Sequence, residues 1–182
     1  MASLVGFAGS LRAGSYNRAL LAAAANAMPA GSSLEILPID DVPLYNADIE
    51  TGTGIPASVA LLKDRIEAAD GLVIVTPEYN GGIPGVAKNV VDWISRPPSD
   101  VPRITRGKPV ALMGATTGGL GTALSQAAWQ QVLRTLRMRV WVTGGPFYVS
   151  SAAKSFGDDG TPNADLAARV AQYMAAFVES LG

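Results

Sequence analysis

The strongest chemical signal in the sequence is a glycine- and serine-rich segment near its start. Residues 9–18 read Gly-Ser-Leu-Arg-Ala-Gly-Ser-Tyr-Asn-Arg, and the alanine- and leucine-rich run that follows predicts a helix. Backbone N–H groups at a helix N-terminus bind phosphate well, and nearby hydroxyl and guanidinium groups add further donors. We therefore predict a phosphate-binding loop in this segment. An ordinary turn that caps a helix is the alternative.

The glycine spacing argues against the common nucleotide-binding loops. Gly9 and Gly14 are spaced as in a P-loop, but Ser15 follows where that loop requires a lysine. The dinucleotide fingerprint G-x-G-x-x-G does not occur in the chain. ATP and dinucleotides of the Rossmann type are therefore disfavoured as ligands of this loop.

Two later segments are suited to a flat ring. Residues 76–85 read Thr-Pro-Glu-Tyr-Asn-Gly-Gly-Ile-Pro-Gly, in which prolines fix the backbone, glycines permit close approach and Tyr79 adds an aromatic surface. Glu78 could act there as a buried acid or through its backbone N–H. Residues 115–122 read Ala-Thr-Thr-Gly-Gly-Leu-Gly-Thr and offer small side chains and amides. A proline-rich turn and a flexible loop are the respective alternatives.

The composition narrows the chemistry further. The chain has no histidine and no cysteine, which excludes disulfides, thiol nucleophiles, thiolate metal sites and the usual general base. A serine hydrolase is remote because no G-x-S-x-G motif is present. Reactivity must therefore come from a bound cofactor, from carboxylate, lysine, tyrosine or hydroxyl groups, or from backbone amides.

Charge and hydropathy limit the partners. The net charge is −1 and no basic block is present, so we expect no nucleic-acid partner. Charges and 12 prolines interrupt the apolar runs, so we expect no membrane span. The first residues lack the basic start of a secretory signal, and we therefore expect a cytoplasmic protein.

The elements that must position these segments follow an alternating pattern. Apolar strand-like runs occur at residues 4–8, 34–38, 71–76, 109–114 and 140–143. Helices are predicted at residues 17–28, with Asn17 as the N-cap, and at 56–69, 84–94, 122–136 and 163–181. Long surface loops are expected at 38–56, 95–108 and 144–162.

This alternation predicts one α/β domain over residues 1–182. The simplest arrangement is a flavodoxin-like, doubly wound, five-stranded parallel sheet of order 2-1-3-4-5, with helices on both faces. The first, third and fourth strands are almost wholly apolar, so they should be central. Ligands bind such sheets at the carboxyl ends of the strands, where the three segments described above should meet.

The combined motifs resemble a known family. Residues 9–17 and 77–85, followed by Lys88-Asn89 and Asp92-Trp93, are similar to the NADPH-dependent FMN reductase family, particularly its chromate and quinone reductase members. The resemblance covers nearly the whole chain and includes residues 44–46, Leu-Tyr-Asn. It implies FMN as the cofactor and NADPH or NADH as the electron donor. The reaction would take place at flavin N5, with no catalytic side chain and no metal.

The resemblance also implies which residues bind the cofactor. The residues that would hold the FMN phosphate are Ser10, Arg12, Ser15, Tyr16 and Asn17. Those that would flank the isoalloxazine ring are Pro77, Glu78, Tyr79 and Asn80 on one side and Thr116, Thr117, Gly118 and Gly119 on the other.

The implied activity is hydride transfer to small molecules. The acceptors would be quinones, azo dyes, chromate or free flavin, and similar family members form homodimers or homotetramers. One alternative is an FMN-binding electron-transfer module, which the near-neutral charge disfavours because redox docking usually needs a charged face. Another is a non-catalytic nucleotide-binding domain, which would have no obvious use for residues 77–85.

Overall fold

The computed structural model describes residues 1–182 and contains one six-stranded sheet. Its strands are β1 (Ser3–Ala8), β2 (Ser33–Ile36), β3 (Gly71–Val75), β4 (Pro109–Ala115), β5 (Arg139–Val140) and β6 (Phe147–Val149). The order is β2-β1-β3-β4-β5, all pairs are parallel, and β6 also pairs with β4. The predicted flavodoxin-like order is confirmed.

Seven α-helices surround the sheet. They are α1 (Tyr16–Asn26), α2 (Ala47–Gly52), α3 (Ala57–Ala68), α4 (Gly85–Ile94), α5 (Val101–Ile104), α6 (Ala123–Thr135) and α7 (Ala164–Glu179). One apolar cluster includes residues of α1 and α7, and a second includes residues of α3, α4 and α6. The sheet is thus covered on both faces, as predicted. None of the helices combines the length and apolar character needed to cross a bilayer.

The central strands are buried as their apolar sequences predict. All of β3 is buried, and β1 and β4 are buried except for Ser3 and Pro109. Two details differ from the sequence prediction. The N-cap of α1 is Ser15 rather than Asn17, because the Ser15 hydroxyl accepts hydrogen bonds from the first turn of the helix. Leu124 lies in the same predicted helix as Trp129 and Leu133, and its helical spacing predicts a core position, but it is 51% exposed in the first turn of α6.

The fifth position of the sheet is divided between two short strands. β5 pairs with Pro109 and Val110, whereas β6 pairs with residues 113–115 farther along β4. The chain between them leaves the sheet. The prediction of a strand at residues 140–143 is therefore correct for residue 140 and wrong for residues 141–143. Trp141 instead packs on α7, with its ring centroid 4.9 Å from that of Tyr173. The Trp141 N–H still donates to the Val110 carbonyl at 2.8 Å, so backbone pairing with the first part of β4 ends at this residue.

The long loops predicted from the sequence contain short ordered elements. Residues 38–56 include α2, residues 95–108 include a 3-10 turn at Pro98–Asp100 and α5, and residues 144–162 include β6 and a 3-10 turn at Ala152–Lys154. These elements are too short for a helical or strand periodicity to be recognised in the sequence.

Candidate functional site

The structure brings the three candidate segments to one edge of the sheet. They follow β1, β3 and β4, which are neighbours and parallel. The Gly9 N–H donates to the carbonyl of Val75 at 2.8 Å, and the Thr76 N–H donates to that of Met113 at 2.8 Å. A Cβ at Gly9 would lie 2.8 Å from the Cβ of Ala87, so glycine is needed for this close approach. The site therefore lies at the carboxyl edge, as in other sheets of this kind.

The loop after β1 presents a set of unused hydrogen-bond donors. The backbone N–H groups of residues 10–14 and of Tyr16 donate to no acceptor within the chain. Ser10 is 5% exposed and its hydroxyl also has no partner, whereas the Ser15 hydroxyl accepts from the N–H groups of Asn17 and Arg18 at 3.2 and 3.4 Å. Since Ser15 accepts these bonds, its own proton is free to be donated. Such a donor set fits a phosphate.

Two larger side chains border this loop. Arg12 is exposed and forms no ion pair, and its Nη1 atom lies 3.3 Å from the position of a Cβ on Gly14. Its guanidinium therefore folds back over the loop. Tyr16 stacks on Phe156, with ring centroids 5.5 Å apart and an angle of 29° between the planes. Both residues are placed where they could contact a phosphate group, although the Tyr16 ring already has a packing partner.

Asn17 has a different position from the other predicted phosphate ligands. It is buried, its Nδ2 donates to the carbonyl of Ala115 at 2.8 Å, and its Oδ1 accepts from the N–H of Ala115 at 2.9 Å. Both ends of the amide are thus used within the protein. The pair joins the start of α1 to the end of β4, immediately before Thr116. A direct contact between Asn17 and a phosphate stays a prediction.

The loop after β3 is held by a tight turn. Tyr79 and Gly82 exchange two backbone hydrogen bonds of 3.2 and 3.0 Å around Asn80 and Gly81. These two central residues have φ values of +52° and +72°, as a type I′ turn requires, and asparagine and glycine tolerate them best. The N–H groups of Glu78 and Asn80 have no acceptor in the chain, and Tyr79 is 53% exposed.

The loop after β4 rests on β6 and the turn that follows it. The Thr116 N–H donates to Val149 at 3.0 Å, its carbonyl accepts from Ala152 at 2.9 Å, and its Oγ1 accepts from the Gly118 N–H at 3.3 Å. The N–H groups of Thr117 and Gly119 have no acceptor within the chain. This loop therefore also offers backbone N–H donors, and hydrogen bonds to β6 and to the turn after it hold the loop in place.

Gly114 and Thr122 fix the distance between the two later loops. A Cβ on Gly114 would lie 1.9 Å from Thr122 Oγ1 and 2.5 Å from the carbonyl oxygen of Thr76, so no other residue fits without displacement. Thr122 itself has a left-handed φ of +71°. Neither contact was predicted from the sequence, because the apolar pattern of the strand around Gly114 does not indicate that its backbone lies against Thr122 and Thr76.

A cavity of about 640 Å³ adjoins the phosphate loop on the side of β2. Besides Ser10 and residues 13–16, residues 36–40 and 157–160 line it, whereas the loops after β3 and β4 do not. Asp40, on its rim, pairs with Arg18 at 3.4 Å, and both side chains are about half exposed. Residues 157–160 were expected only as part of a surface loop, because their contact with α1 depends on the tertiary fold.

The Leu-Tyr-Asn motif at residues 44–46 is attached to α4. Asn89 accepts from the Tyr45 N–H and donates to the Pro43 carbonyl, both at 2.8 Å, and Trp93 Nε1 donates to the same carbonyl at 2.7 Å. The Tyr45 hydroxyl donates to Glu50, and this hydrogen bond raises the pKa of Tyr45. Asn89 and Trp93 thus hold a neighbouring segment in place.

Comparisons with known proteins agree with this geometry. The family model described as NADPH-dependent FMN reductase matches residues 2–154. An NAD(P)H-dependent FMN reductase of Pseudomonas aeruginosa is 41% identical over 157 residues, which are 86% of this chain and 82% of that protein. A quinone reductase of Escherichia coli is 44% identical over 126 residues, which are 69% of this chain and 65% of that protein.

A solved structure agrees as well. The flavoenzyme NAD(P)H:(acceptor) oxidoreductase FerB from Paracoccus denitrificans is 31% identical, with a TM-score of 0.87, over 100% of this chain and 97% of that one. The unpaired hydrogen-bond donors of the loop after β1 fit the phosphate of FMN, and the amides of the two later loops fit its ring. The expected cofactor FMN, the electron donor NAD(P)H and the oxidoreductase class are confirmed. This chain belongs to the NADPH-dependent FMN reductase family, an oxidoreductase family that uses FMN with NAD(P)H as the electron donor.

Proposed function

We propose that this protein transfers hydride from NAD(P)H through FMN to quinones. The observation that carries the proposal is the set of unused donors on three loops at adjacent strand ends, which fits a phosphate on one side and the polar edge of a ring on the other. The names of the quinone reductase relatives support this class of acceptor. So do three exposed apolar side chains beside the loops, namely Tyr79, Leu120 and Leu124.

The phosphate loop would bind and orient the cofactor. Ser10, Ser15 and the amides of residues 10–14 would donate to the phosphate oxygens, and the Arg12 guanidinium would neutralise part of their charge. Tyr16 would close the side of this loop that faces Phe156, while Asn17 would hold the loop to β4.

The two later loops would bind the ring. Bound FMN supplies the chemistry at its N5 atom, which accepts and returns hydride. The residues that would surround the ring are Pro77, Glu78, Tyr79 and Asn80 after β3, and Thr116, Thr117, Gly118 and Gly119 after β4. The backbone N–H groups in these two loops that have no acceptor in the chain would stabilise negative charge on the ring. No side chain of the protein need transfer hydride.

Other properties of the enzyme are also proposed. Chromate, an inorganic anion, is a weaker candidate than the flat aromatic acceptors, which are quinones, azo dyes and free flavin, because the exposed side chains beside the loops are apolar. We propose a homodimer or homotetramer located in the cytoplasm, where NAD(P)H is regenerated. Light scattering after size-exclusion chromatography would measure the assembly, and a monomer at micromolar concentration would contradict it.

The central experiment follows the visible absorbance of FMN added to the protein, before and after anaerobic NADPH. We expect perturbed flavin bands that NADPH bleaches and that a quinone restores, with parallel steady-state lines for the two substrates. Bound flavin that NADPH does not bleach would favour the electron-transfer module instead. Protein that leaves the FMN spectrum unchanged would contradict the proposed cofactor site.

A further inference from the structure

We propose that the Glu78 side chain is a positioning residue that locks the two ring-binding loops together through the N-terminus of α6. This inference rests on the proposed placement of the FMN ring. Glu78 Oε2 accepts hydrogen bonds from the backbone N–H groups of Leu124 and Ser125, at 2.8 and 3.1 Å. A residue of the loop after β3 thereby caps the helix that begins where the loop after β4 ends.

The helix has no cap of its own. Its N-cap residue, Thr122, has a left-handed backbone and makes no side-chain capping bond, and the first turn contains no acidic residue. The first N–H groups of a helix need an acceptor, and a carboxylate also complements the positive end of the helix dipole. Glu78 supplies both from a different part of the chain. The capping interaction is therefore also a link between the two loops.

A second, buried connection lies directly behind the first. Thr76 Oγ1 donates to the Pro77 carbonyl at 2.8 Å and accepts from Trp129 Nε1 at 3.0 Å, and it lies 2.9 Å from Ser125 Oγ. Since the only proton of the Thr76 hydroxyl is already donated, Ser125 must be the donor in its pair. Thr76, Ser125 and Trp129 are fully buried, so this hydroxyl network is shielded from water.

These links fix the orientation of the loop amides. Glu78 and Ser125 hold the loop after β3 to α6, and the Cδ1 atom of Leu124 packs 3.5 Å from the Cβ position of Gly81. The N–H groups of Glu78 and Asn80 have no acceptor in the chain and would face the proposed FMN ring. The backbone that carries them is attached to α6, the helix that follows the loop after β4. Without the carboxylate, the two loops would lose their direct connection at the surface, and FMN would have to order them on binding.

The test compares three variants by the dissociation constant for FMN, measured by flavin fluorescence, and by the Tm of the apoprotein. Glu78→Ala should weaken FMN binding by about tenfold, because a charge-assisted pair of bonds is lost. Glu78→Gln should restore most of the affinity, since its amide oxygen can accept the same two bonds. Ser125→Ala keeps the carboxylate and should cause a smaller loss of affinity.

Thr105→Val is the matched control for stability. Thr105 is fully buried at the opposite end of the sheet, where its hydroxyl bonds to the carbonyls of Val101 and Leu136 at 2.9 and 2.8 Å. This variant should lower the Tm and leave FMN affinity unchanged. If Thr105→Val lowers affinity as much as Glu78→Ala at an equal Tm, the effect is one of global stability and the inference is wrong.

Two other results would overturn the positioning role. Glu78→Gln as impaired as Glu78→Ala would mean that the charge of the carboxylate, and not the link that its two hydrogen bonds form, sets the FMN affinity. Unchanged FMN affinity in both Glu78 variants would mean that the link does not order the loops. Failure of the wild-type protein to bind FMN would instead overturn the proposed cofactor site. If Glu78→Ala does not fold, Glu78→Gln and Ser125→Ala decide the question.

Discussion

The two edges of the sheet use their polar groups in opposite ways. Where the chain enters β3 and β4, polar groups are paired within the protein. Lys63, which is 3% exposed, donates to the carboxylate of Asp100 and the carbonyl of Arg96. Arg103 pairs with Asp100 and Glu67. These bonds hold the connection between α4 and β4 against α3.

At the carboxyl edge, by contrast, many donors have no partner in the chain. They include the N–H groups of residues 10–14, the Ser10 hydroxyl and the Arg12 guanidinium. Buried polar groups are usually paired in folded proteins, so the unpaired hydroxyl of buried Ser10, beside a run of unpaired amides at the strand ends, indicates a ligand site. The comparison predicts that substitutions at the first edge affect stability alone, and that those at the second affect binding.

Lys63→Met should have the largest effect on stability. It removes one partner of a buried pair and leaves the Asp100 carboxylate with Arg103 only, at a cost of roughly 3–5 kcal/mol. For a chain of this length, that corresponds to a fall in Tm of roughly 6–20 °C with unchanged FMN affinity. Arg65→Met is the control, because its pair with Glu35 is about half exposed and should contribute less than about 1 kcal/mol. If Lys63→Met lost FMN affinity at an unchanged Tm, the proposed difference between the two edges would be wrong.

Asn17→Ala should affect both properties. It leaves the buried N–H and carbonyl of Ala115 unpaired, which should cost roughly 2–3 kcal/mol of stability. FMN affinity should fall with it, because the start of α1 is no longer held to β4. Asn17→Asp should be at least as unstable, since a carboxylate would face the Ala115 carbonyl. Lower affinity without a lower Tm would show that Asn17 contacts the phosphate directly.

Arg12→Ala should change binding alone. The exposed guanidinium has no ion-pair partner in the protein, so the Tm of the apoprotein should stay the same. Loss of a hydrogen bond to a charged phosphate should cost roughly 2 kcal/mol, or about thirtyfold in the dissociation constant for FMN. Arg106→Ala, an exposed arginine between α5 and β4, is the control and should leave FMN affinity unchanged. Less than a twofold effect of Arg12→Ala would remove this residue from the phosphate site.

The sequence predicted the parts of this comparison that depend on local patterns. Strand order and the three loops follow from apolar runs and from the types of residue after them. The Asn17 to Ala115 pair and the Glu78 cap of α6 were not predicted, because each joins a side chain to a backbone group far away in the sequence. The prediction that Trp141 lies in a strand was wrong for the same kind of reason. Its contact with α7 joins residues that are far apart in the sequence.

The smallest expected effect concerns pH at the amino-terminal edge. Hydrogen bonds from Arg103, and then from Lys63, lower the pKa of Asp100 in the folded protein. A lowered folded pKa contributes stability above the unfolded pKa, about 4, and this contribution is lost as the pH falls towards the folded value. Asp100→Asn has no such ionisation. The difference in Tm between wild type and Asp100→Asn should therefore be constant near neutral pH and shrink below about pH 4. A difference that stays the same down to about pH 3 would mean that the charge of Asp100 does not stabilise this edge.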